Sequence, residues 1–112
     1  MVDSSLDEAR QNIDKINDEI VEKVDERMSE VLRIVKYKDE NDMDVKDEDR
    51  EEAVVKQFAD RFEEKELPRE RGRQLGRLLI DTAVDLERDM LGKKSRPYFT
   101  SRLLRRSQDL YT

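Results

Sequence analysis

The sequence predicts an all-α chain of three helices, the first far longer than the other two, that shares its core with a second copy of itself. Three observations carry this. Apolar residues recur in steps of three and four, charged residues reach 46% of the chain while hydrophobic ones still make up 35%, and no stretch alternates as a strand does. Such a mixture suits amphipathic helices, and not disorder, because the apolar positions are periodic.

The first helix covers roughly residues 5 to 39. Leu6, Ala9, Ile13, Ile16, Ile20, Val24, Met28, Val31 and Val35 form its stripe, Ser4 or Ser5 its N-cap, and Asp7 and Glu8 its acidic first turn. At 1.5 Å per residue it extends about 50 Å, more than a globule of this size is wide. Its outer part needs cover from another chain, so a homodimer is expected. Asp39 to Lys46 has no apolar period and reads as a solvated connection.

Asp47 then caps a second helix carrying Ala53, Val54, Phe58 and Phe62. In KELPRE, Pro68 suits the first position of a third helix, which carries Leu75, Leu78, Leu79, Ala83, Leu86 and Met90 and which Gly92 stops. Residues 1–91 therefore form one domain. Residues 92–112 are a basic extension, with a short helix expected around Thr100 to Leu110.

Composition removes whole classes of chemistry. Without cysteine or histidine there is no disulfide, no thiol nucleophile, no Cys/His zinc site and no imidazole acid–base pair. MVDSSLDEAR lacks a basic segment followed by an apolar run, and no run approaches 18 apolar residues; the expectation is a soluble cytoplasmic protein that makes no membrane contact. The net charge of −6 divides into a basic extension and an acidic body, which argues against nucleic acid as the body's partner.

Some charges stand where apolar residues belong. Arg27 lies between Val24 and Val31, and Lys38, eleven residues on, falls only about 20° away on the same helix face. Arg10 interrupts the stripe near Leu6 and Ile13, and Glu87 shares a line with Ile80 and Ala83. Long basic stems can snorkel from a stripe edge and pair with nearby carboxylates, Glu87 among them. Buried without partners, such cations cost several kcal/mol and call for an anionic ligand. Arg10 and Arg27 are 17 residues, about 25 Å, apart on one helix, too far to grip one small molecule within a chain. Antiparallel pairing of two such helices would bring Arg10 of one copy to Arg27 of the other.

Arg10, Arg27, Lys38, Asp47, Arg50 and Glu51 keep the spacing 17, 11, 9, 3 and 1, within LDEARQNIDKINDEIVEKVDERMSEVLRIVKYK and VKDEDREE, followed by LGRLLIDTAVDLERDM. On these residues the chain resembles the all-helical class of chorismate mutase, without a gap over about residues 5 to 91. The resemblance implies an intertwined, domain-swapped helical dimer that rearranges chorismate to prephenate on the way to phenylalanine and tyrosine. The reaction is pericyclic and needs no nucleophile, metal or cofactor.

By the same resemblance, Arg27 and the other subunit's Arg10 bind the substrate carboxylates, with Arg50 helping to orient them. Lys38 donates to the ether oxygen, and Glu51, with the backbone near Asp47, accepts from the ring hydroxyl. Two positions depart from the commonest bacterial pattern. Ala83 stands for a serine, which removes one carboxylate contact that Thr82 is poorly aligned to replace, and Glu87 stands for a glutamine. An ionised Glu87 would repel charge forming on the ether oxygen, so the expectation is a Glu87 held protonated by burial, acting as a donor.

Two rivals accompany this reading. Isochorismate-pyruvate lyase uses much the same cations on the same scaffold. From another class comes a non-enzymatic helical dimerisation module, with its basic tail on nucleic acid or an acidic partner. A calcium loop in DENDMD lacks the glycine and the terminal glutamate such loops need.

Overall fold

The computed structural model describes residues 4–92, which form three helices: α1 (Ser4–Glu40), α2 (Glu48–Glu64) and α3 (Arg69–Gly92). No strand occurs among the described residues, as the sequence predicts. None of their helices is long and apolar enough to cross a membrane. The helix expected around Thr100 to Leu110 lies outside the described residues, and so does whatever follows Gly92.

Helix ends explain most differences from the predicted boundaries. Helix α1 already includes Ser4 and Ser5, so neither is the cap that was expected; serine costs a helix interior only a fraction of a kcal/mol, and the helix runs through both. At its other end Asp42 adopts a left-handed conformation, φ 53°. There the Met43 N–H donates to the Lys38 carbonyl at 2.8 Å and the Asp42 N–H to the Asp39 carbonyl at 3.4 Å, a Schellman turn. Glu66, φ 60°, closes α2 likewise, with the Leu67 N–H donating to the Phe62 carbonyl at 2.8 Å.

Asp47 caps α2 as expected: its carboxylate accepts from the Arg50 N–H at 3.0 Å. Pro68 sits one position earlier than predicted, as the residue before α3. Its carbonyl accepts from the Arg71 and Gly72 N–H groups at 3.1 and 3.3 Å, the first bonds of the helix. The turn is clamped by Arg69, which donates to Asp60 at 2.6 Å and to Glu63 at 2.9 Å. Lys56 also donates to Asp60, and the two cations hold that carboxyl below the usual carboxylate range.

Helices α2 and α3 pack along each other very closely. A Cβ at Gly72 would lie 2.5 Å from the Phe58 carbonyl oxygen, and one at Gly76 would lie 3.2 Å from the Cα of Val55. These two glycines, one turn apart, let the backbones approach, and Ala59 is fully buried on the facing side. The core joins Met28 and Leu32 of α1 to Leu79, Ala83 and Leu86 of α3, with Val24, Val31, Phe58, Leu75 and Met90 at its edges. Ala53 and Leu78, expected inside, are exposed: each is 100° round its helix from a buried neighbour, Val54 or Leu79.

Among the described residues, only the second half of α1 is covered by the other two helices. Residues 4–23 are exposed throughout, and Leu6, Ile13, Ile16 and Ile20 keep 45 to 55% of their surface in water. The apolar period continues there regardless, so the stripe outruns the core and the molecule measures 62 × 34 × 23 Å.

Candidate active site

A cavity of about 280 Å³ opens between the second half of α1, the start of α2 and the second half of α3. Val31, Ile34, Val54, Ile80 and Val84 give it an apolar floor. Around that floor stand Arg27, Lys38, Asp47, Arg50, Glu51, Ala83 and Glu87, seven of the eight residues singled out from the sequence. Arg10 is the exception. It is exposed on the uncovered half of α1, a helical distance of about 25 Å from Arg27.

The Arg27 side chain is half-buried, and its Nη1 is fully buried with no hydrogen-bond partner among the described residues. Burial, and then the positive charge of Arg50, push its guanidinium below the ordinary arginine range. The snorkelling alternative fails for this residue. A buried guanidinium nitrogen with no acceptor, beside a second cation, is an unmet demand for an anion.

Lys38 lies in the last turn of α1, where its Nζ donates to the Val45 carbonyl at 3.3 Å. Its own carbonyl accepts from Met43. The connection is solvated as expected, exposed throughout residues 39–46 except at the half-buried Val45, and Val45 and Lys46 also reach the cavity wall. One acceptor leaves the ammonium two more N–H groups for a ligand.

The α2 end is organised by its cap. With the Asp47 carboxylate bound to the Arg50 N–H, the first turn presents Arg50 and Glu51 to the cavity. Glu51 faces Arg77 of α3, Nη1 to Oε1 3.6 Å. Sequence reasoning missed Arg77, although stepping back from Glu87 by three and four through Val84 and Ile80 arrives at it.

On α3, Ala83 is buried and leaves apolar wall where a hydroxyl would reach in. Thr82 does not replace that hydroxyl: its Oγ1 donates to the Leu78 carbonyl of its own helix at 2.8 Å. Glu87 is half-buried, and burial pushes its carboxyl above the ordinary glutamate range. Nearby Lys38 pulls it back down, and the charge of Glu51 pushes it further up. The site thus offers fixed cations, an acceptor and a carboxyl biased toward its acid form, over an apolar floor. That set suits holding a compact polyanion and answering charge as it develops, with no group that would serve as a strong nucleophile.

Among curated proteins and among solved structures no match to the chain is found. A family model described as chorismate mutase type II matches residues 9–88, which span Arg10, the cavity and all three helices. The chain belongs to the chorismate mutase type II family, a family of isomerases.

Proposed function

We propose that this chain rearranges chorismate to prephenate in the cavity described above, in the cytoplasm, as a step toward phenylalanine and tyrosine. The observation that carries the reading is the buried, unpartnered Arg27 nitrogen in one cavity with Lys38, Glu51 and Glu87. The rearrangement breaks the ether C–O bond and forms a C–C bond within one molecule. What it asks of a protein is a folded conformer and a donor at the ether oxygen. Arg27 and Arg50 take the carboxylate side, Lys38 and a protonated Glu87 donate to the ether oxygen, and Glu51 accepts from the ring hydroxyl.

The working unit in this reading is an intertwined homodimer. Leu6, Ile13, Ile16 and Ile20 expose an apolar stripe along the half of α1 that bears Arg10, and a second chain laid antiparallel would cover it. Arg10 would then complete the partner's cavity. Residues 1–91 are the mutase domain, and residues 92–112 an extension that turnover does not need.

Offering chorismate and isochorismate in separate incubations tests the assignment. Prephenate from chorismate, with isochorismate left intact, is expected. Salicylate and pyruvate from isochorismate would transfer the assignment to the lyase, and two untouched substrates would leave the dimerisation module.

Glu87 sets the pH dependence. Its acid form is the useful one, so kcat should fall as pH rises through the raised Glu87 pKa, and Glu87→Gln should flatten the profile. Stability follows the same sign. The folded protein binds this proton more tightly than the unfolded chain, so the contribution is complete below the ordinary glutamate pKa and is lost as pH climbs through the raised value. Rate–pH and melting–pH curves of both proteins check this; a wild-type rate flat from acid to alkaline pH would contradict it.

A further inference from the structure

The cavity asks Glu51 to remain a carboxylate beside a second carboxyl group, Glu87. An ionised Glu51 has two ways to lower its energy. It can swing into water, or it can pair with Lys38, Arg27 or Arg50 and so occupy a cation that the substrate needs. Either outcome disables the site as proposed, and something must prevent both.

We infer that Arg77 is a positioning residue, holding the Glu51 carboxylate against the cavity wall from behind and leaving the cavity's own cations free for substrate; this rests on the function proposed above. Its Nη1 lies 3.6 Å from Glu51 Oε1, across the α2–α3 seam. Glu51 is only 22% exposed and lines the cavity, whereas Arg77 is half exposed and lies outside the lining. Arg77 therefore reaches substrate only through Glu51. It stands one turn before Ile80 on the face of α3 that continues to Val84 and Glu87, which fixes its direction relative to the cavity. The close seam at Gly72 and Gly76 keeps α2 near enough for the pair to form.

A planar guanidinium suits this task, because it stays charged at every working pH. Lysine keeps the charge but loses the fork, so it should serve in part. Glutamine is both shorter and uncharged, so it should fail.

The test is a double-mutant cycle on kcat and KM for chorismate, using wild type, Arg77→Gln, Arg77→Lys, Glu51→Gln and the Arg77→Gln/Glu51→Gln pair, with melting curves for each. Arg77→Gln should lower kcat/KM about tenfold, and Arg77→Lys should recover part of that loss. In the Glu51→Gln background the same Arg77 change should cost less than about twofold, since its target is already gone. An equal loss in both backgrounds, or no loss in the first, overturns the inference. If wild type leaves chorismate untouched, the proposed function fails by itself, and a crystal structure of Arg77→Gln decides the inference separately. A Glu51 carboxylate turned out to water or onto Lys38 supports it, and one left in place overturns it.

Discussion

Lys38→Ala should fold as wild type does and lose about 10²–10³ in kcat, the cost typical of removing one preorganised donor from developing negative charge. On the proposed mechanism the loss should fall on kcat. Lys38 is half-buried, tethered to the Val45 carbonyl, and retains two N–H groups directed by that tether. Charge on the ether oxygen grows only as the bond breaks, so its donor contributes mostly in the transition state. The fold loses one hydrogen bond to a loop carbonyl, about 1 kcal/mol. The backbone bond from Met43 to Lys38 does not depend on the side chain and persists. Helical circular dichroism close to wild type, with kcat down and KM changed little, is the expected pair of readings. A kcat within twofold of wild type would remove Lys38 from the mechanism.

Arg27→Met should move activity and stability in opposite directions. The guanidinium nitrogen that lacks a partner is a cost to the folded chain, increased by Arg50 beside it, and methionine retains much of the stem's apolar volume. The melting temperature should rise by a few degrees. Turnover should collapse, because a carboxylate loses a charge-assisted, two-pronged contact; at roughly 3 kcal/mol that is about a 10²-fold fall in kcat/KM. An arginine placed for structure alone would show loss of stability together with any loss of activity. Activity retained with stability raised would mean that the orphaned nitrogen serves no ligand.

Much of the site was legible because helical spacing converts directly into position. Arg27 and Lys38 share a face of α1, and that face does open on the cavity; Asp47, Arg50 and Glu51 are gathered by a cap whose sequence signature is local. What could not be read depends on how faces meet. Arg77 gains meaning only from the α2–α3 seam, whose closeness is set by two glycines acting on a distant stretch of backbone. The connection after α1 reads as solvated because its residues are polar. Its order comes from backbone groups: the Met43 N–H and the Val45 carbonyl both bind Lys38, through a left-handed Asp42 that no glycine marks in the sequence. The helix starts at Ser4 and Arg69 differ from those the sequence predicts by a residue or two, the usual latitude of helix ends. Ala53 and Leu78 keep helical spacing yet face water, because spacing alone does not decide which of two adjacent apolar residues meets the neighbouring helix. Arg10 marks the largest gap between sequence and single-chain structure: its spacing to Arg27 points to a second copy, and within one chain it stays in water.

A site completed across two chains can be tested by mixing two inactive variants. Arg10→Ala and Lys38→Ala, each inert or nearly so, are unfolded together in denaturant, refolded at equal amounts and assayed for prephenate. If Arg10 serves the partner's cavity, half of the dimers are mixed and each carries one intact site, so activity should return to about a quarter of that of refolded wild type. Activity no greater than the sum of the two variants refolded separately would contradict a shared site.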